Sequence, residues 1–178
     1  MVHFENADNV LVGNSAKQEL RAGSDQAIAR AKQFMGSEKT YQGYRPEALT
    51  PQEISAYILR KLVQDAAMQI DGEVSDVVIT CPAYFGTDAR AATEQAGELA
   101  GLKVHYLIPE PVAAAYYYAT TRERLEGKTV LVYDLGGGTF DVTVTRADDA
   151  RIENMCLKGD VLLGGDDWDE AVAIWLAE

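Results

Sequence analysis

Three consecutive glycines stand between two aspartates in the segment from Asp134 to Asp141. Glycine lacks the Cβ atom that would keep a bulky anion away from backbone N–H groups, and Thr139 adds a hydroxyl donor. A hairpin at this point would bring the carboxylates of Asp134 and Asp141 beside the turn, where they could hold the water shell of Mg²⁺ or orient an attacking water. The segment therefore predicts a phosphate site, although an ordinary glycine-rich hairpin with aspartates in its turn could have the same letters. The three glycines are Gly136, Gly137 and Gly138.

The segments ahead of this turn alternate between helix and strand. Thr50 to Glu53 has the pattern of a capping box, with proline at the first helical position, and predicts a helix that stops at Asp71 and Gly72. Thr87 and Asp88 predict the cap of a second helix. The alternation predicts an α/β layered fold rather than a helical bundle or a sandwich. This second helix runs through 91–100. The other predicted elements are strands at 74–81 and 104–108, each covered on both faces, and a third helix at 112–119.

The second half of the sequence changes to short β-rich runs. Runs at 129–133 and 140–145 flank the glycine turn, and a third at 151–157 follows a second turn at 147–150. This spacing predicts an antiparallel meander, with a helix at 168–178 after it. The charged stretch 122–128 before the meander is typical of a solvated linker or a boundary between lobes.

The composition excludes several classes of protein. A chain of 178 residues with 47% hydrophobic residues can bury a core, and its charge of -12 disfavours nucleic acid and membrane as partners. The charge does not exclude a nucleotide, because backbone N–H groups and a divalent cation can reverse the field locally. Cys81 and Cys156 are too few for a disulfide framework or a zinc site, which predicts two core residues and a cytosolic setting. His3 and His105 have no metal-ligand spacing and are expected to be structural.

Four segments resemble, in order and at close to the same spacing, the DnaK-type heat-shock chaperones. Residues 134–141 match the second phosphate-binding motif of that family almost letter for letter. Residues 81–85, with Arg90 beyond them, are similar to its "VPAYF…R.AT" segment. Residues 108–115 are similar to "NEPTAAA", and residues 163–169 to "LGGEDFD". Four matches in register are specific, whereas any one of them alone would not be.

The resemblance implies an actin-like ATPase (ribonuclease H-like) fold, present in part. This is an α/β fold with parts of two lobes, in which helices flank mixed sheets. It also implies ATP or ADP and Mg²⁺ as cofactors. By position, Glu110, Asp134 and Asp141 would surround Mg²⁺, held through water, and the nucleophilic water. Thr139 and the three glycines would contact the phosphates, and Lys32 would stabilise charge on the γ-phosphate.

Four further residues acquire roles from the resemblance. Pro82 and Arg90 would relay the nucleotide state to a peptide-binding part, and Gly164 and Gly165 would bring backbone near phosphate.

Several of the residues in these segments have a plain structural alternative. Pro82 could simply end a strand, Arg90 could be a cation on a helix face, and Lys32 a surface lysine. In the same way Glu110 could be a helix N-cap, and Asp166, Asp167 and Asp169 could be caps and first-turn charges of the last helix.

The resemblance also implies how the chain is divided and what it lacks. Residues 1–49 would be a reduced outer subdomain of the first lobe, 50–122 its inner subdomain, and 123–178 the start of the second lobe. The first phosphate loop of the family and its adenine-binding and ribose-binding segments have no counterpart here. The 178-residue chain alone is therefore expected to bind ATP weakly or not at all.

The full-length parent is expected to be a cytoplasmic, ATP-hydrolysing chaperone of the stress response that assists protein folding. Unfolded or partly folded polypeptides and co-chaperones would be its partners. Two alternatives remain open from the sequence. One is another actin-like ATPase or a sugar kinase, and the other is a truncated, non-catalytic relative that serves as a binding module.

Overall fold

A computed structural model of the chain describes residues 1–43, 47–122, 125–148 and 151–177. The chain divides into two compact units. The first comprises residues 1–79 and 86–107, and the second comprises residues 80–85 and 108–178. The three-part division expected from the sequence, with boundaries after 49 and 122, stays a prediction.

A small antiparallel sheet begins the first unit. Its central strand β1 (Val2–Phe4) lies between β2 (Val10–Val12) and β3 (Ala27–Ile28), and helix α1 (Asn14–Arg21) connects β2 to β3. A 3-10 turn at Ala31–Phe34 follows. The early residues thus form a sheet, although their sequence showed little regular pattern.

Helix α2 (Pro51–Ile70) covers that sheet and completes its core. The Thr50 side chain accepts a hydrogen bond from the Glu53 N–H, and the Glu53 carboxylate accepts one from the Thr50 N–H at 2.8 Å, so the predicted capping box is confirmed. Ile54 is buried in one cluster with Val2 and Phe4. Leu62, two turns further along the same helix, is 59% exposed.

The rest of the first unit contains a helix and most of a strand pair. Strands β4 (Asp76–Cys81) and β5 (Lys103–Pro109) are joined by α3 (Thr87–Leu99) and pair with each other. Val78 of β4 is 53% exposed and Tyr106 of β5 is 70% exposed, so the prediction that both strands are covered on both faces was wrong. The prediction that Thr87 caps α3 was also wrong, because Gly86 is the N-cap residue and no side chain caps it.

The second unit is the predicted meander with a helix packed on it. Strands β6 (Thr129–Leu135), β7 (Phe140–Asp148) and β8 (Arg151–Asp160) pair in that order, both pairs antiparallel. Helices α4 (Glu110–Thr121) and α5 (Gly165–Ala177) precede and follow the meander. The predicted meander is therefore confirmed.

One face of this sheet supplies the core of the second unit. Ala115 of α4, Leu125 and Ala147 are buried together. Leu125 lies in the stretch 122–128, so that stretch is not uniformly solvated as expected, while its residues 123 and 124 lie outside the described residues. Residues 149 and 150 of the predicted second turn lie outside them as well. Cys81 is buried as predicted, but Cys156 is exposed on β8, so its assignment to a core was wrong.

None of the helices in the described part of the chain has the length and apolar character needed to cross a membrane.

Candidate phosphate site

The glycine turn joins β6 to β7 and places the two aspartates directly opposite each other. Asp134 pairs with Asp141 in the strand register, and Leu135 pairs with Phe140 one step nearer the turn. The N–H of Gly136 donates to the carbonyl oxygen of Thr139 at 2.9 Å, which closes the turn. The carboxylates therefore leave neighbouring strands at one level, just below the loop.

The two aspartates differ in their surroundings. Asp141 lies on the central strand β7 and is only 5% exposed, whereas Asp134 lies on β6 and is exposed to solvent. The residue opposite Asp141 on its other side is Gly159 of β8. One carboxylate of the hairpin is thus buried, and the other is exposed.

Tyr84 connects this hairpin to two of the carboxylates. Burial, then the negative charge of Asp141, then that of Glu110 raise the pKa of the Tyr84 phenol to about 12, against a weaker opposing effect of its hydrogen bond with Thr139. The phenol is therefore protonated at neutral pH. The shift also shows that the fields of Asp141 and Glu110 overlap at Tyr84, beside the Thr139 side chain.

Glu110 stands at the beginning of α4. The N-cap position is occupied by Pro109, and Glu110 is the first helical residue, so it is not the cap that the structural alternative required. A carboxylate in the first turn of a helix is favoured by the helix dipole. Glu110 thus lies in the first turn of α4, where no side-chain cap bond is made.

The beginning of α5 is hydrogen bonded to the glycine turn. The N–H of Gly165 donates to the Gly136 carbonyl at 3.0 Å, and the N–H of Asp166 donates to the Gly137 carbonyl at 2.8 Å. A Cβ atom on Gly164 would lie 2.4 Å from Gly137 C and Gly138 N, so only glycine allows this approach. The beginning of α5 therefore holds the glycine turn in place through the carbonyls of Gly136 and Gly137.

Asp167 stabilises that same terminus. Its carboxylate accepts a hydrogen bond from the Gly164 N–H at 2.7 Å, which is half of a capping box. Asp167 thus acts as one of the first-turn caps that the structural alternative described. The N–H groups of Gly164 and Gly165 are both engaged within the protein by these bonds.

The remaining predicted site residues fall in different parts of the chain. Lys32 is an exposed residue of the 3-10 turn in the first unit. Arg90 belongs to α3 in the same unit, and its guanidinium donates to the Leu107 carbonyl at 3.1 Å. Pro82 belongs to the second unit, where it is fully buried and its carbonyl accepts from the Phe85 N–H at 3.1 Å.

No group of three or more histidine, cysteine, aspartate or glutamate side chains in the described residues is gathered closely enough to bind a metal ion directly. The carboxylates near the turn are instead spread over β6, β7 and α4. Such spacing suits Mg²⁺, which keeps several of its waters when bound and is held by few protein carboxylates.

Two residues of this region escaped the sequence analysis as individual site residues. Tyr84 was noted only as a letter of the "PAYF" segment, and its approach to Thr139 is a tertiary contact. Gly159 was not singled out at all. An isolated glycine within a β-rich run is a known signal of close backbone approach, and that signal could have drawn attention to it.

The described residues form helices and three sheets, and one of these sheets is the meander with its glycine turn. They define a mixed α/β protein that contains part of an actin-like ATPase fold. Residues 38–178 match the family described as "Hsp70 protein". The chain belongs to the Hsp70 family.

Similar curated proteins agree with this assignment. The chain is 45% identical to "Chaperone protein DnaK" of Thermosipho melanesiensis over 178 residues, which are 100% of this chain and 30% of that protein. It is 45% identical to the protein of the same description from Thermosipho africanus, covering 29% of it, and 44% identical to that from Thermotoga neapolitana, covering 30%. The chain spans about 30% of the length of the relatives it matches.

Proposed function

We propose that this chain is part of the nucleotide-binding ATPase region of a DnaK-type chaperone, and that its glycine turn binds the phosphates of ATP. The observation that carries the proposal is the hairpin itself. Asp134 and Asp141 face each other directly below a turn of three glycines and a threonine. The family membership supports the same chemistry.

The residues around the turn fit a nucleotide with Mg²⁺. The three glycines leave a stretch of backbone without side chains, which a phosphate could approach closely. The fields of Asp141 and Glu110 add at Tyr84 and raise its pKa, so this corner carries excess negative potential that a divalent cation would offset. Asp134, Asp141 and Glu110 would hold Mg²⁺ through its waters, and the bound ion would supply positive charge for the phosphate oxygens.

The protein's own groups have separate tasks in this proposal. The Thr139 hydroxyl donates to a phosphate oxygen, and the Gly137 and Gly138 backbone lines the phosphates. The aspartates accept hydrogen bonds from water and so orient the attacking molecule. Gly165 holds the turn through its N–H bond to the Gly136 carbonyl, and Gly164 allows the two backbones to approach.

Three assignments are proposed on the family resemblance rather than on contacts. Lys32 stabilises the charge that develops on the γ-phosphate. Pro82 and Arg90 couple the nucleotide state to a peptide-binding part. The longer protein acts in the cytoplasm as part of the stress response, with unfolded or partly folded polypeptides as clients and with co-chaperones.

The test is phosphate release from ATP by the longest natural protein that contains this chain, with and without an unfolded peptide. Asp134→Asn should lower turnover by about 100-fold or more, because it removes charge and an acceptor where water must be oriented. Asp148→Asn, the same change at the far end of β7, is the matched control and should have wild-type turnover.

Peptide-stimulated release would distinguish a chaperone from a sugar kinase or another actin-like ATPase. Equal turnover in Asp134→Asn and the wild type would remove this aspartate from the mechanism. Absence of any ATP hydrolysis by the wild-type protein would favour a non-catalytic binding module.

A further inference from the structure

Gly159 faces the buried aspartate of the hairpin from the neighbouring strand. It pairs with Asp141 in the register of β7 and β8. A Cβ atom built on Gly159 would lie 2.6 Å from Asp141 Oδ1 and 2.4 Å from the Phe140 carbonyl oxygen. Real side chains do not approach so closely, so the Asp141 carboxylate occupies space that any other residue at 159 would fill.

This pairing depends on an irregularity further along the strands. From Asp148 and Arg151 to Thr145 and Asn154 the two strands pair without interruption. Continued unchanged, that register would place Lys158 opposite Asp141. A β-bulge intervenes, because Val144 pairs with Cys156 and the register shifts by one residue. The bulge replaces a long cationic side chain with glycine at the one position beside the buried carboxylate.

The surroundings of Asp141 explain why a glycine opposite it matters. Asp141 is 5% exposed, and its strand is the middle one of three, so its carboxylate has a neighbouring strand on each side. Its partner on the other side is Asp134, a like charge that disfavours movement in that direction. On the β8 side the carboxylate lies against the bare backbone of Gly159.

We propose that Gly159 is a positioning residue for the Asp141 carboxylate, brought into place by the bulge in β8. It touches neither nucleotide nor metal in this scheme. It sets where the carboxylate oxygens lie. The inference rests on the proposed function only where it predicts an effect on ATP turnover.

The test uses Gly159→Ala in the longest natural protein that contains this chain. Turnover of ATP should fall about 10- to 100-fold, since displacement of a catalytic group by about 1 Å has effects of that size. The Mg²⁺ concentration that gives half-maximal turnover should rise, while the KM for ATP should change far less than kcat. Gly72→Ala is the control, because an added Cβ there meets only the Ile70 side chain and carbonyl at 3.6 Å or more.

A stability cycle supplies a readout that does not depend on activity. Unfolding midpoints are compared for Gly159→Ala, Asp141→Ala and the double variant. If the added methyl collides with the carboxylate, removal of the carboxylate restores part of the lost stability. The double variant is then more stable than the sum of the two single effects predicts. The rescue is partial, because the contact with the Phe140 carbonyl remains.

The outcomes separate this inference from the proposed function. A wild-type protein that does not hydrolyse ATP contradicts the function and leaves the stability cycle to decide on Gly159. An active wild type with unchanged kcat and Mg²⁺ dependence in folded Gly159→Ala overturns the inference alone. If Gly159→Ala does not fold, rescue by Asp141→Ala supports the inference, and failure of that rescue overturns it.

Discussion

Tyr84 shows how single residues of the site depend on one another. Its phenol is partly buried, lies near two carboxylates and bonds to the Thr139 side chain. The negative charges of Asp141 and Glu110 act on it in addition to burial, so it keeps its proton over the whole physiological range. The hydrogen bond between the two side chains limits which way the Thr139 hydroxyl can turn.

We expect the Tyr84 phenol to titrate near pH 12, and we expect Asp141→Asn to lower its pKa while leaving it above the usual 10, because burial is the largest cause of the shift. Because the pKa is raised in the folded state, the associated stability is present below pH 10 and is lost as pH rises towards 12. The measurement is the difference in ultraviolet titration between each protein and its Tyr84→Phe variant.

Asp148→Asn serves as the control for that titration and should leave the pKa of Tyr84 unchanged, since Asp148 lies at the other end of β7. A wild-type phenol that titrates near its ordinary value would contradict the burial of Tyr84. An unchanged pKa in Asp141→Asn would contradict its closeness to Asp141.

At the residue scale the sequence predicted the local part of the site well. Asp134 and Asp141 flank one turn, so their approach follows from a hairpin alone, and the structure pairs them. Tyr84 lies tens of residues before the turn in sequence. Gly159 lies opposite Asp141 only because of the bulge in β8. Their contacts depend on tertiary packing and on a register shift, which no local pattern encodes.

At the scale of elements, α5 and the glycine turn behave as one piece. Two N–H groups of the helix terminus bond to two carbonyls of the turn, and Gly164 allows the backbones to touch. The carbonyls of Gly136 and Gly137 are thereby held on the side of the helix. Any displacement of α5 should therefore move the turn with it.

Gly164→Ala should lower the free energy of unfolding by about 1–3 kcal/mol, because the new Cβ forces helix and turn apart. Gly165→Ala is the matched comparison. Its Cβ would meet the Gly136 carbonyl at 3.8 Å, an ordinary contact, and its cost should stay below about 0.5 kcal/mol. Urea unfolding measures both, and equal effects would contradict the close approach at Gly164.

Elements with a local chemical signal were predictable, and those defined by their neighbours were not. The capping box at Thr50 predicted the first residue of α2. The β-branched run of β4 predicted a strand but not how many of its faces are covered, because that depends on which layers pack on it. Gly86 is the N-cap residue of α3 and has no side chain that could signal the cap, so the sequence favours the more usual cap residue Thr87.

At the scale of the whole molecule, several large apolar side chains lie on the surface. The last helix, α5, has no buried residue among those described, and it exposes 71% of Trp175 and 72% of Leu176. The sheet face away from α4 exposes Leu131 and Tyr133 in the same way. Apolar surface of this extent favours association in water.

The 178-residue chain on its own should therefore self-associate as its concentration rises, which sedimentation velocity measures. Replacing both Trp175 and Leu176 by glutamate should weaken that association, because charge is added where apolar area is lost. Leu20→Glu on α1, where the side chain is 38% exposed, is the control and should behave as the wild type. A chain that stays monomeric at all concentrations would contradict this expectation.

Both tryptophans of the chain, Trp168 and Trp175, lie on α5. Their indole rings are 52% and 71% exposed, so their emission responds to the polarity around this one helix. The hydrogen bonds from Gly165 and Asp166 tie the same helix to the glycine turn. The tryptophan fluorescence of the chain is thus an optical probe of the glycine turn, with no label required.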